Sequence, residues 1–469
     1  MSKKKKNIIL ENIKLISAGA KGVAVGKTEE GKTVLVTGAV PGDVVNARVK
    51  KAKSKYYEAE VLEVIEKSPY RVEPKCIHFG VCGGCKWQNL SYQKQLDFKQ
   101  EEVYNNIKRI GGIEDFETLP ILGSAEEYFY RNKMEFSFSN ARWLTQYEIS
   151  SEENFGNKDA LGFHIPGMWS KILDLKECFL QEEPSNEIRL AVRDYAIKNG
   201  LDFYDVRNQE GFLRTLMLRQ NSKGEWMVLF QLYREEKENR ENLFNFVLEK
   251  FPQVKTLVYA INPKGNDSIY DLDIQNYYGE GFLMEEMDGL QFKIGPKSFF
   301  QTNYKQALEL YRKTIEFAEI SENDVVYDLY TGTGTIAQYI AKKAKYVIGI
   351  ESVQEAIDAA IEHAKLNGLE NCEFHCGDMK DVFTEEFLDN HPKADVLVTD
   401  PPRDGMHQKV VEQILKLSPP KIVYVSCNSA TQARDLALMK EHYNVVKILP
   451  VDMFPQTHHV ENIALLVKK

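Results

Sequence analysis

The stretch Lys421-Ile-Val-Tyr-Val-Ser-Cys427-Asn428 decides how the rest of the chain is interpreted. Its first five residues are mostly apolar with high β-propensity, which predicts a buried parallel strand. A cysteine follows at the carboxyl end of that strand, where open α/β sheets bind their ligands. A thiol in such a position can act as a nucleophile, whereas a lone cysteine is more often a buried structural residue.

Three further segments favour a reactive cysteine, because each places polar groups near another strand end. Residues 328–334 close one apolar strand, and Asp400-Pro-Pro-Arg403 closes another. Asp452-Met-Phe-Pro-Gln-Thr-His-His-Val-Glu461 follows later in the chain. Because parallel strands share one ligand-binding edge, the sequence predicts that these segments meet around Cys427.

A βαβ unit begins with the first of these segments. Residues 324–330 read as a strand, Thr331-Gly-Thr-Gly-Thr335 as a glycine turn and residues 336–343 as a helix. The next strand, 346–351, ends in Glu351, which can bond ribose hydroxyls. The pattern favours an adenosine-type cofactor over a nicotinamide one, because the third glycine of the dinucleotide fingerprint is missing. Further strand patterns at 372–378, 394–400, 421–427 and 463–468 predict a doubly wound α/β sheet.

Composition and charge narrow the classes of protein. The 469 residues are 43% hydrophobic and 28% charged, which is typical of a multidomain globular protein. No apolar run is long enough to span a bilayer, and no signal-peptide core follows the basic start, so we expect a cytoplasmic protein with no membrane partner. Residues 1–60 carry a net charge of +7 and the remainder −16. A basic N-terminal module on an acidic body indicates a polyanion partner, although Lys3–Lys6 alone read as a solvated tail.

Residues 7–66 alternate apolar and polar residues between Gly and Pro turns. This pattern predicts a small antiparallel β-barrel of the oligonucleotide-binding type. The spacing is equally compatible with a β-barrel that has another function. A turn region with Lys50, Lys51, Lys53 and Lys55 offers phosphate contacts.

Three of the seven cysteines crowd into Cys76-Ile-His-Phe-Gly-Val-Cys82-Gly-Gly-Cys85. The odd count and the expected compartment argue against disulfides and indicate a metal or cluster site. Cys178 is the best candidate for a fourth ligand, because Cys372 and Cys376 fall inside the later sheet pattern. Four thiolates suit a [4Fe–4S] cluster, and the spacing alone leaves Zn²⁺ equally open.

Between these motifs the secondary-structure signals are local. Residues 91–110 predict an amphipathic helix with a Ser91 cap, and a second helix is expected near 304–319. Residues 128–138 alternate aromatic and basic side chains, which fits either a base-stacking sheet face or a half-buried strand. Residues 205–235 read as a hairpin.

Together these motifs resemble the RumA/RlmD-type family of RNA (uracil-5-)-methyltransferases, which use S-adenosylmethionine. The resemblance covers nearly the whole chain and includes a barrel similar to a TRAM domain. It rests on the following motifs in the same order: Cys76-x5-Cys82-Gly-Gly-Cys85, Cys178, Gln301-Thr-Asn, Asp328-Leu-Tyr-Thr-Gly-Thr-Gly, Gly349-Ile-Glu, Asp400-Pro-Pro-Arg, Val425-Ser-Cys-Asn, Asp452-Met-Phe-Pro and His459-Val-Glu461. Two departures, Thr331 and Thr335, stand where many relatives have Cys and Asn.

The resemblance implies roles for individual residues. Cys427 would be the nucleophile and Glu461 the base, with His458 and His459 as lower-ranked rival bases. The S-adenosylmethionine site would be lined by Gln301, Tyr330, Glu351 and Asp400, with Asp378 near the adenine. The [4Fe–4S] cluster would be held by Cys76, Cys82, Cys85 and Cys178. Arg403 would stabilise the negative charge that develops on the uracil oxygen, or hold Glu461 in place. Either Phe299 or Phe300 would stack on a flipped uridine while the other packs in the core.

The implied activity is methyl transfer to carbon 5 of a uridine in 23S ribosomal RNA through a covalent Cys–uracil intermediate. The alternatives are a transfer RNA T-loop methyltransferase of the same family and a non-catalytic RNA-binding ribosome-assembly factor. Asp400 and Arg403 do not suit the chemistry of an amino-methyltransferase. The spacing of the cysteines does not match that of a radical enzyme. We expect a monomer with a TRAM-like barrel at 1–68, an α+β iron–sulfur domain at 69–290 and a Rossmann-like methyltransferase domain at 291–469. Helix 91–110 is expected to pack on the last of these.

Overall fold

The computed structural model describes residues 8–151 and 158–469. In this part of the chain the main sheets are a closed barrel, a seven-stranded sheet and an eight-stranded sheet. The lysine run Lys3–Lys6 lies outside the described residues. None of the described helices combines the length and apolar character needed to cross a membrane.

Residues 9–66 form the barrel that the alternation predicted. Its strands are β1 (Ile9–Gly19), β2 (Val23–Lys27), β3 (Thr33–Thr37), β4 (Val44–Ala52) and β5 (Tyr56–Glu66). Every second residue points inward, as at Val34 and Val36, which are fully buried. The strand order is β1-β2-β3-β5-β4, so β5 pairs in parallel with β3. The expectation of an antiparallel barrel was wrong at this pair. After β3 the chain crosses the barrel to β4, which pairs with β1, and β5 then lies between β3 and β4.

One long helix joins the barrel to the rest of the protein. It is α1 (Tyr92–Arg109), and it is followed by the short strand β6 (Glu117–Thr118). Ser91 stands at the predicted N-cap position, but its side chain makes no capping hydrogen bond.

The middle of the chain forms a mixed sheet with helices packed against it. Its strands are β7 (Lys133–Ser139), β8 (Ala160–Ile165), β9 (Met168–Asp174), β10 (Leu213–Gln220), β11 (Trp226–Leu232), β12 (Val254–Ile261) and β13 (Gln275–Tyr278). The helices are α2 (Gln146–Ser150), α3 (Ser185–Lys198) and α4 (Lys237–Lys250). The strand order is β13-β12-β11-β10-β7-β8-β9. The predicted hairpin is formed by β10 and β11, which pair antiparallel and are buried along their whole length.

The last part of the chain opens with a separate hairpin that the sequence analysis missed, β14 (Leu283–Met287) with β15 (Leu290–Ile294). The large sheet follows, with β16 (Val325–Leu329), β17 (Tyr346–Glu351), β18 (Cys372–Cys376), β19 (Val396–Thr399), β20 (Lys421–Ser426), β21 (Tyr443–Val451) and β22 (Glu461–Lys468). The helices are α5 (Tyr304–Ala318), α6 (Thr335–Ala341), α7 (Gln354–Leu366), α8 (Met379–Val382), α9 (Glu385–Asn390), α10 (Gln408–Leu417) and α11 (Ser429–Met439).

The order β18-β17-β16-β19-β20-β22-β21-β6 confirms a doubly wound sheet. The strands from β18 to β20 are parallel, and β22 enters antiparallel between β20 and β21. Helices α5 and α6 cover one face, whereas α1, α10 and α11 cover the other. Both faces are therefore buried, which explains the continuous apolar runs of the parallel strands.

Helix α1 is attached to the large sheet by polar bonds as well as apolar packing. Its Asn106 Nδ2 donates a 2.8 Å hydrogen bond to Ser429 Oγ at the start of α11. Lys99 Nζ lies 2.6 Å from Asp452 Oδ1, just after β21, and both side chains are fully buried. The same ammonium donates to the carbonyl oxygen of Phe454. Burial lowers the pKa of Lys99, and the carboxylate of Asp452 acts in the opposite direction.

Replacing Lys99 with methionine leaves the Asp452 carboxylate buried without its cation. We expect Lys99→Met to lower the free energy of unfolding by about 3–5 kcal/mol, measured by urea denaturation followed by circular dichroism. The matched control is Lys94→Met on the same helix, which removes a more exposed pair with Asp97 and should cost much less stability. Equal losses in the two variants would contradict a structural role for the buried pair.

Candidate active site

The two predicted catalytic residues, Cys427 and Glu461, lie at the carboxyl edge of the parallel strands. Cys427 follows β20 directly, and Asp400 follows β19. Strand β22 runs antiparallel to β20, with Asn462 opposite Ser426. This register places Glu461, the first residue of β22, beside Cys427. The predicted strand at 463–468 therefore begins two residues earlier than expected, and Glu461 is held in the sheet instead of a loop.

Arg403 is positioned by the residues that follow Cys427. Its carbonyl oxygen accepts hydrogen bonds from Asn428 Nδ2 at 2.9 Å and from Thr431 Oγ1 at 3.1 Å. Asn428 also caps α11 by accepting a bond from the backbone N–H of Ala430. The segment that carries Arg403 is thus fixed to the start of α11, and its guanidinium interacts with the Cys427 thiol.

The carboxyl groups of Asp328 and Glu461 are buried at this edge, and that of Asp400 is partly buried, which makes their ionisation unfavourable. Burial and the neighbouring Asp400 raise the pKa of Glu461 to about 8, while Arg403 acts to lower it. Burial and the charge of Asp328 raise the pKa of Asp400 to about 7. Asp328 itself has its pKa raised to about 7, mainly by burial. A carboxyl group whose pKa lies near neutrality can both accept and release a proton, which suits Glu461 to general-base chemistry.

The same environment acts on the candidate nucleophile. Burial, Glu461 and Asp400 raise the pKa of the Cys427 thiol to about 11, and the Arg403 guanidinium acts in the opposite direction. The thiol is therefore protonated at neutral pH until a positive charge or a proton acceptor approaches. A cationic ligand at this edge would stabilise the thiolate and the carboxylates at once.

The glycine turn after β16 brings backbone close to the same edge. Tyr330, Gly332 and Gly334 all have positive φ angles, of 64°, 56° and 76°. The N–H of Gly332 donates to Glu351 Oε2 at 3.1 Å, so the turn is tied to the end of β17. Thr331 Oγ1 donates to Asp328 Oδ2 at 2.6 Å, whereas Asp328 Oδ1 is buried and has no hydrogen-bond partner. A buried acceptor without a partner beside a glycine turn is a feature expected of a ligand pocket.

The segment carrying Gln301 is fixed to both large sheets. The Asn132 side chain, just before β7, donates to the carbonyl oxygen of Gln301 at 3.0 Å, and its backbone N–H donates to Thr302. Asn303 caps α5 by accepting from the Gln306 N–H and donates to the Met453 carbonyl at 2.9 Å. The backbone of Gln301 is therefore held while its side chain is half-buried.

The rival bases His458 and His459 lie close together, with ring centroids 4.1 Å apart. Burial lowers the pKa of both, to about 4 for His458, and nearby cations including Lys99 and Arg403 act in the same direction. Both rings are therefore neutral at neutral pH. An imidazole with a pKa near 4 is a weaker base than a carboxylate with a pKa near 8, which favours Glu461.

The segment between Asp452 and Glu461 is held by a residue that the sequence analysis did not single out. Gln456 adopts a positive φ of 66°, and its carbonyl oxygen accepts bonds from the N–H groups of Lys86 and Trp87. Its N–H donates to Gln95 Oε1 at 2.9 Å, and Gln95 Nε2 donates to Gln456 Oε1 at 3.0 Å. These hydrogen bonds join the segment between Asp452 and Glu461, called the catalytic segment below for its proposed role, to α1 and to the residues that follow Cys85.

The four candidate metal ligands Cys76, Cys82, Cys85 and Cys178 line one cavity. Burial raises the pKa of every one of these thiols, to about 11 for Cys85 and about 12 for Cys178, and for the last three neighbouring thiols raise it further. The N–H of Gly84 points at Cys82 Sγ, 3.4 Å away. The distant Cys178 thus joins the early motif, whereas Cys372 and Cys376 lie on β18.

Most aromatic side chains of residues 128–138 do not form the base-stacking face that was considered. Strand β7 begins only at Lys133, and Tyr130, Phe136 and Phe138 are buried in the core. Of the two candidate stacking residues, Phe300 is buried against Phe292, and Phe299 is 68% exposed.

The lysines of the barrel are partly engaged by acidic neighbours. Lys50 Nζ lies 2.6 Å from Glu60, and Lys51 Nζ lies 3.4 Å from Glu58. Because these pairs are exposed, they are weak and leave the ammonium groups available to phosphates.

The chain is similar to known proteins over nearly its whole length. Residues 271–469 match the model of the tRNA (Uracil-5-)-methyltransferase family, and residues 15–62 match the TRAM domain. A Bacteroides thetaiotaomicron protein described as an uncharacterized RNA methyltransferase is 50% identical over 450 residues, which is 95% of this chain and 99% of that protein. A Porphyromonas gingivalis protein of the same description is 48% identical over 467 residues, covering 97% and 99% of the two chains.

One solved structure shares the whole architecture. It is the Pyrococcus abyssi tRNA (uracil-54, C5)-methyltransferase in complex with S-adenosyl-L-homocysteine. It is 29% identical to this chain and superposes with a TM-score of 0.74 over 97% of this chain and 99% of that one.

The electrostatic balance around Cys427 predicts opposite effects of two substitutions on alkylation. Above pH 8, where Glu461 is ionised, Glu461→Gln removes a negative charge and should speed iodoacetamide labelling of Cys427. Arg403→Gln removes the cation and should slow it, since one pKa unit changes the thiolate fraction about tenfold. Peptide mass spectrometry measures the rates, with the exposed Cys376 as internal reference. Identical Cys427 rates in the three proteins would contradict the proposed balance.

Proposed function

The chain belongs to the RNA (uracil-5-)-methyltransferase family, and we propose that it transfers a methyl group from S-adenosylmethionine to carbon 5 of a uridine in 23S ribosomal RNA through a covalent Cys427–uracil intermediate. The observation that carries the proposal is the register of β20 and β22, which sets a thiol and a carboxyl group side by side. One of these groups can form a covalent bond while the other moves a proton.

The thiol is needed because carbon 5 of uracil is a poor nucleophile. As the Cys427 thiol loses its proton to solvent, its sulfur adds to carbon 6 and turns carbons 4 and 5 into an enolate. S-adenosylmethionine supplies the electrophilic methyl group that carbon 5 accepts. The Glu461 carboxylate then removes the proton from carbon 5, and the carbon 6–sulfur bond breaks. Glu461 returns that proton to the thiolate, so each turnover releases one proton in total.

Arg403 supports two of these steps. Its interaction with the thiol stabilises the thiolate before attack, and its charge opposes the rise in the pKa of Glu461, which increases the ionised fraction of the base. A cation beside the ring would also stabilise the negative charge that develops on the uracil oxygen. Exposed Phe299 is suited to stack on a uridine that has left its RNA helix.

The proposed cofactor site lies between the strand ends of β16, β17 and β19. Glu351 is positioned for ribose hydroxyls, with Tyr330 and Gln301 as further lining residues. Asp400, whose neutral form is favoured by burial, gains from a positive sulfonium nearby. The buried, unpartnered Asp328 Oδ1 fits a pocket that is completed by a polar or cationic ligand.

The four-cysteine cavity fits a [4Fe–4S] cluster. All four thiols line this cavity, and four cysteine thiolates are the usual ligands of such a cluster. The buried guanidinium of Arg189 interacts with Cys178 and would balance the negative charge of four thiolates. Since Lys86 and Trp87 hold the carbonyl of Gln456, the proposed role of the cluster is to position the catalytic segment, without redox turnover.

RNA is the expected partner because the chain combines a TRAM domain with a methyltransferase domain of this family. A cavity of about 390 Å³ beside Gly83 and Gly84 is lined by Arg131, Thr302 and the ion pair of Lys133 with Glu135, so Arg131 is its unbalanced positive charge. A second candidate substrate is the T-loop of transfer RNA, because the Pyrococcus abyssi structural neighbour is a tRNA (uracil-54, C5)-methyltransferase.

Deleting the gene should remove 5-methyluridine from the RNA that this enzyme modifies. The measurement is mass-spectrometric mapping of 5-methyluridine in 23S ribosomal RNA and in transfer RNA, from cells with and without the gene. We expect loss from 23S ribosomal RNA and restoration by the wild-type gene, but not by Cys427→Ala. Loss confined to position 54 of transfer RNA would support the second candidate and contradict the first.

Replacing the nucleophile should abolish both turnover and covalent capture. We expect Cys427→Ala to give background methyl transfer and no denaturation-resistant complex with RNA containing 5-fluorouridine, because fluorine at carbon 5 blocks release only after sulfur has added. Cys376→Ala, on the edge strand, is the matched control and should retain both activities. Normal turnover by Cys427→Ala would exclude this thiol as nucleophile.

The metal assignment predicts the composition of protein purified without oxygen. We expect about four iron and four sulfide ions per chain, with broad visible absorbance. Cys178→Ser should lose most of this absorbance, and Cys372→Ser should keep it. One Zn²⁺ per chain, with no iron, would show instead that the cysteines form a mononuclear site.

A further inference from the structure

A second group of metal-ligating side chains lies on the edge strand β18, away from the cysteines. Glu373 and His375 are two residues apart on the strand, so their side chains project from the same face. His391 follows α9 and approaches from the neighbouring connection. One ligand atom from each of the three lies within 4.8 Å of the other two.

The three ligand atoms are a carboxylate oxygen and two imidazole nitrogens. Glu373 Oε1 lies 3.1 Å from His375 Nε2 and 3.8 Å from His391 Nε2. His391 Nδ1 lies 2.6 Å from the carbonyl oxygen of Phe387, which can only accept, so Nδ1 carries the hydrogen. In the neutral ring the Nε2 lone pair of His391 therefore faces the carboxylate.

His375 adds a second nitrogen close to the same carboxylate. Its Nε2 is shielded from solvent and lies 3.1 Å from Glu373 Oε1, in a poor geometry for a hydrogen bond. The other carboxylate oxygen of Glu373 accepts a 2.7 Å hydrogen bond from the Tyr346 hydroxyl. Glu373 Oε1 and both Nε2 atoms thus converge on one point, where a cation would satisfy all three.

We propose that Glu373, His375 and His391 bind one divalent ion of the Zn²⁺ type, with water completing the coordination. Two imidazoles and one carboxylate form a ligand set that Zn²⁺ uses in proteins. At metal–ligand distances of about 2.1 Å, tetrahedral ligand atoms are about 3.4 Å apart, so small side-chain movements close the site. Glu373 is 37% exposed at its side chain, which leaves access for the ion and for water.

The surrounding contacts hold the ligands in this orientation. Phe387 stacks on the His391 ring, with centroids 4.0 Å apart and planes 23° from parallel. The hydrogen bonds of Tyr346 and of the Phe387 carbonyl fix the remaining donor and acceptor atoms of Glu373 and His391. Such outer contacts orient ligands in established metal sites.

The ion would connect the edge strand to the segment after α9. Pro392, next to His391, accepts a hydrogen bond from the Tyr327 hydroxyl on the central strand β16. On the other side, β18 leads into Gly377, whose N–H donates to the carbonyl of Glu351. Binding should therefore stabilise the edge of the sheet beside the proposed cofactor site without supplying a catalytic group.

The test uses Co²⁺ as the probe, with full-length protein made without a polyhistidine tag and with its four-cysteine site filled anaerobically. Co²⁺ bound by nitrogen and oxygen gives visible d–d absorption without the intense near-ultraviolet sulfur-to-cobalt transitions of a cysteine site. We expect one such ion per chain, displaced by Zn²⁺. The double variant His375→Asn with His391→Asn should lose this absorption, and the control His442→Asn, at an exposed histidine on the far side of the sheet, should keep it.

Two further measurements keep the result interpretable. Glu373→Gln, which retains the shape of the side chain, should weaken Co²⁺ binding at least tenfold. Zn²⁺ should raise the thermal unfolding temperature of the wild type but not of the double variant, and both should unfold at the same temperature in EDTA. Absorption that survives in the double variant, or the absence of any Co²⁺ spectrum other than a sulfur-ligated one, would overturn the proposal and leave the cluster as an ordinary ion pair.

Discussion

The antiparallel insertion of β22 beside β20 is the constraint on which the rest of the site depends. In a wholly parallel sheet, the start of β22 would lie at the opposite edge from Cys427. Because β22 is reversed, its first residue meets the end of β20, in a register that sets Ser426 opposite Asn462. The resulting closeness of Glu461 to Cys427 contributes to the raised pKa of the Cys427 thiol, while burial and Asp400 raise the pKa of Glu461.

This crowding of acidic groups creates a negative potential that a positive charge would stabilise. Arg403 supplies part of that charge, and a cationic cofactor would supply more. Such a site is costly to build, since buried carboxyl groups destabilise the fold when they ionise. The raised pKa values of Asp328, Asp400 and Glu461 mean that stability falls as pH rises from about 5 to 8, because the folded state then holds more protons than the unfolded chain. Binding of a cation to the folded protein would offset that loss.

Sequence patterns predicted the sheet and the strand-end motifs, because hydrophobic runs and glycine turns are local signals. They did not reveal β21, the hairpin of β14 and β15, or the parallel pair in the barrel, since these depend on which distant strands meet. The sequence also did not reveal that Gln95 and Lys99 hold the segment between Asp452 and Glu461 by hydrogen bonds and an ion pair. A signal was present: Gln95 and Lys99 continue, at four-residue spacing, the buried stripe of α1 that Val103 and Ile107 belong to. Polar residues on an apolar helix face indicate buried partners.

In the proposed reaction Cys427 bonds to the uracil ring, and Glu461 is needed to release it. Both roles are tested by intact and peptide mass spectrometry of Glu461→Gln after incubation with S-adenosylmethionine and substrate RNA. We expect a stable complex in which a methylated uridine is joined to the peptide containing Cys427, because the carbon 5 proton remains in place. Free 5-methyluridine formed at the wild-type rate, or RNA attached to another residue, would contradict it.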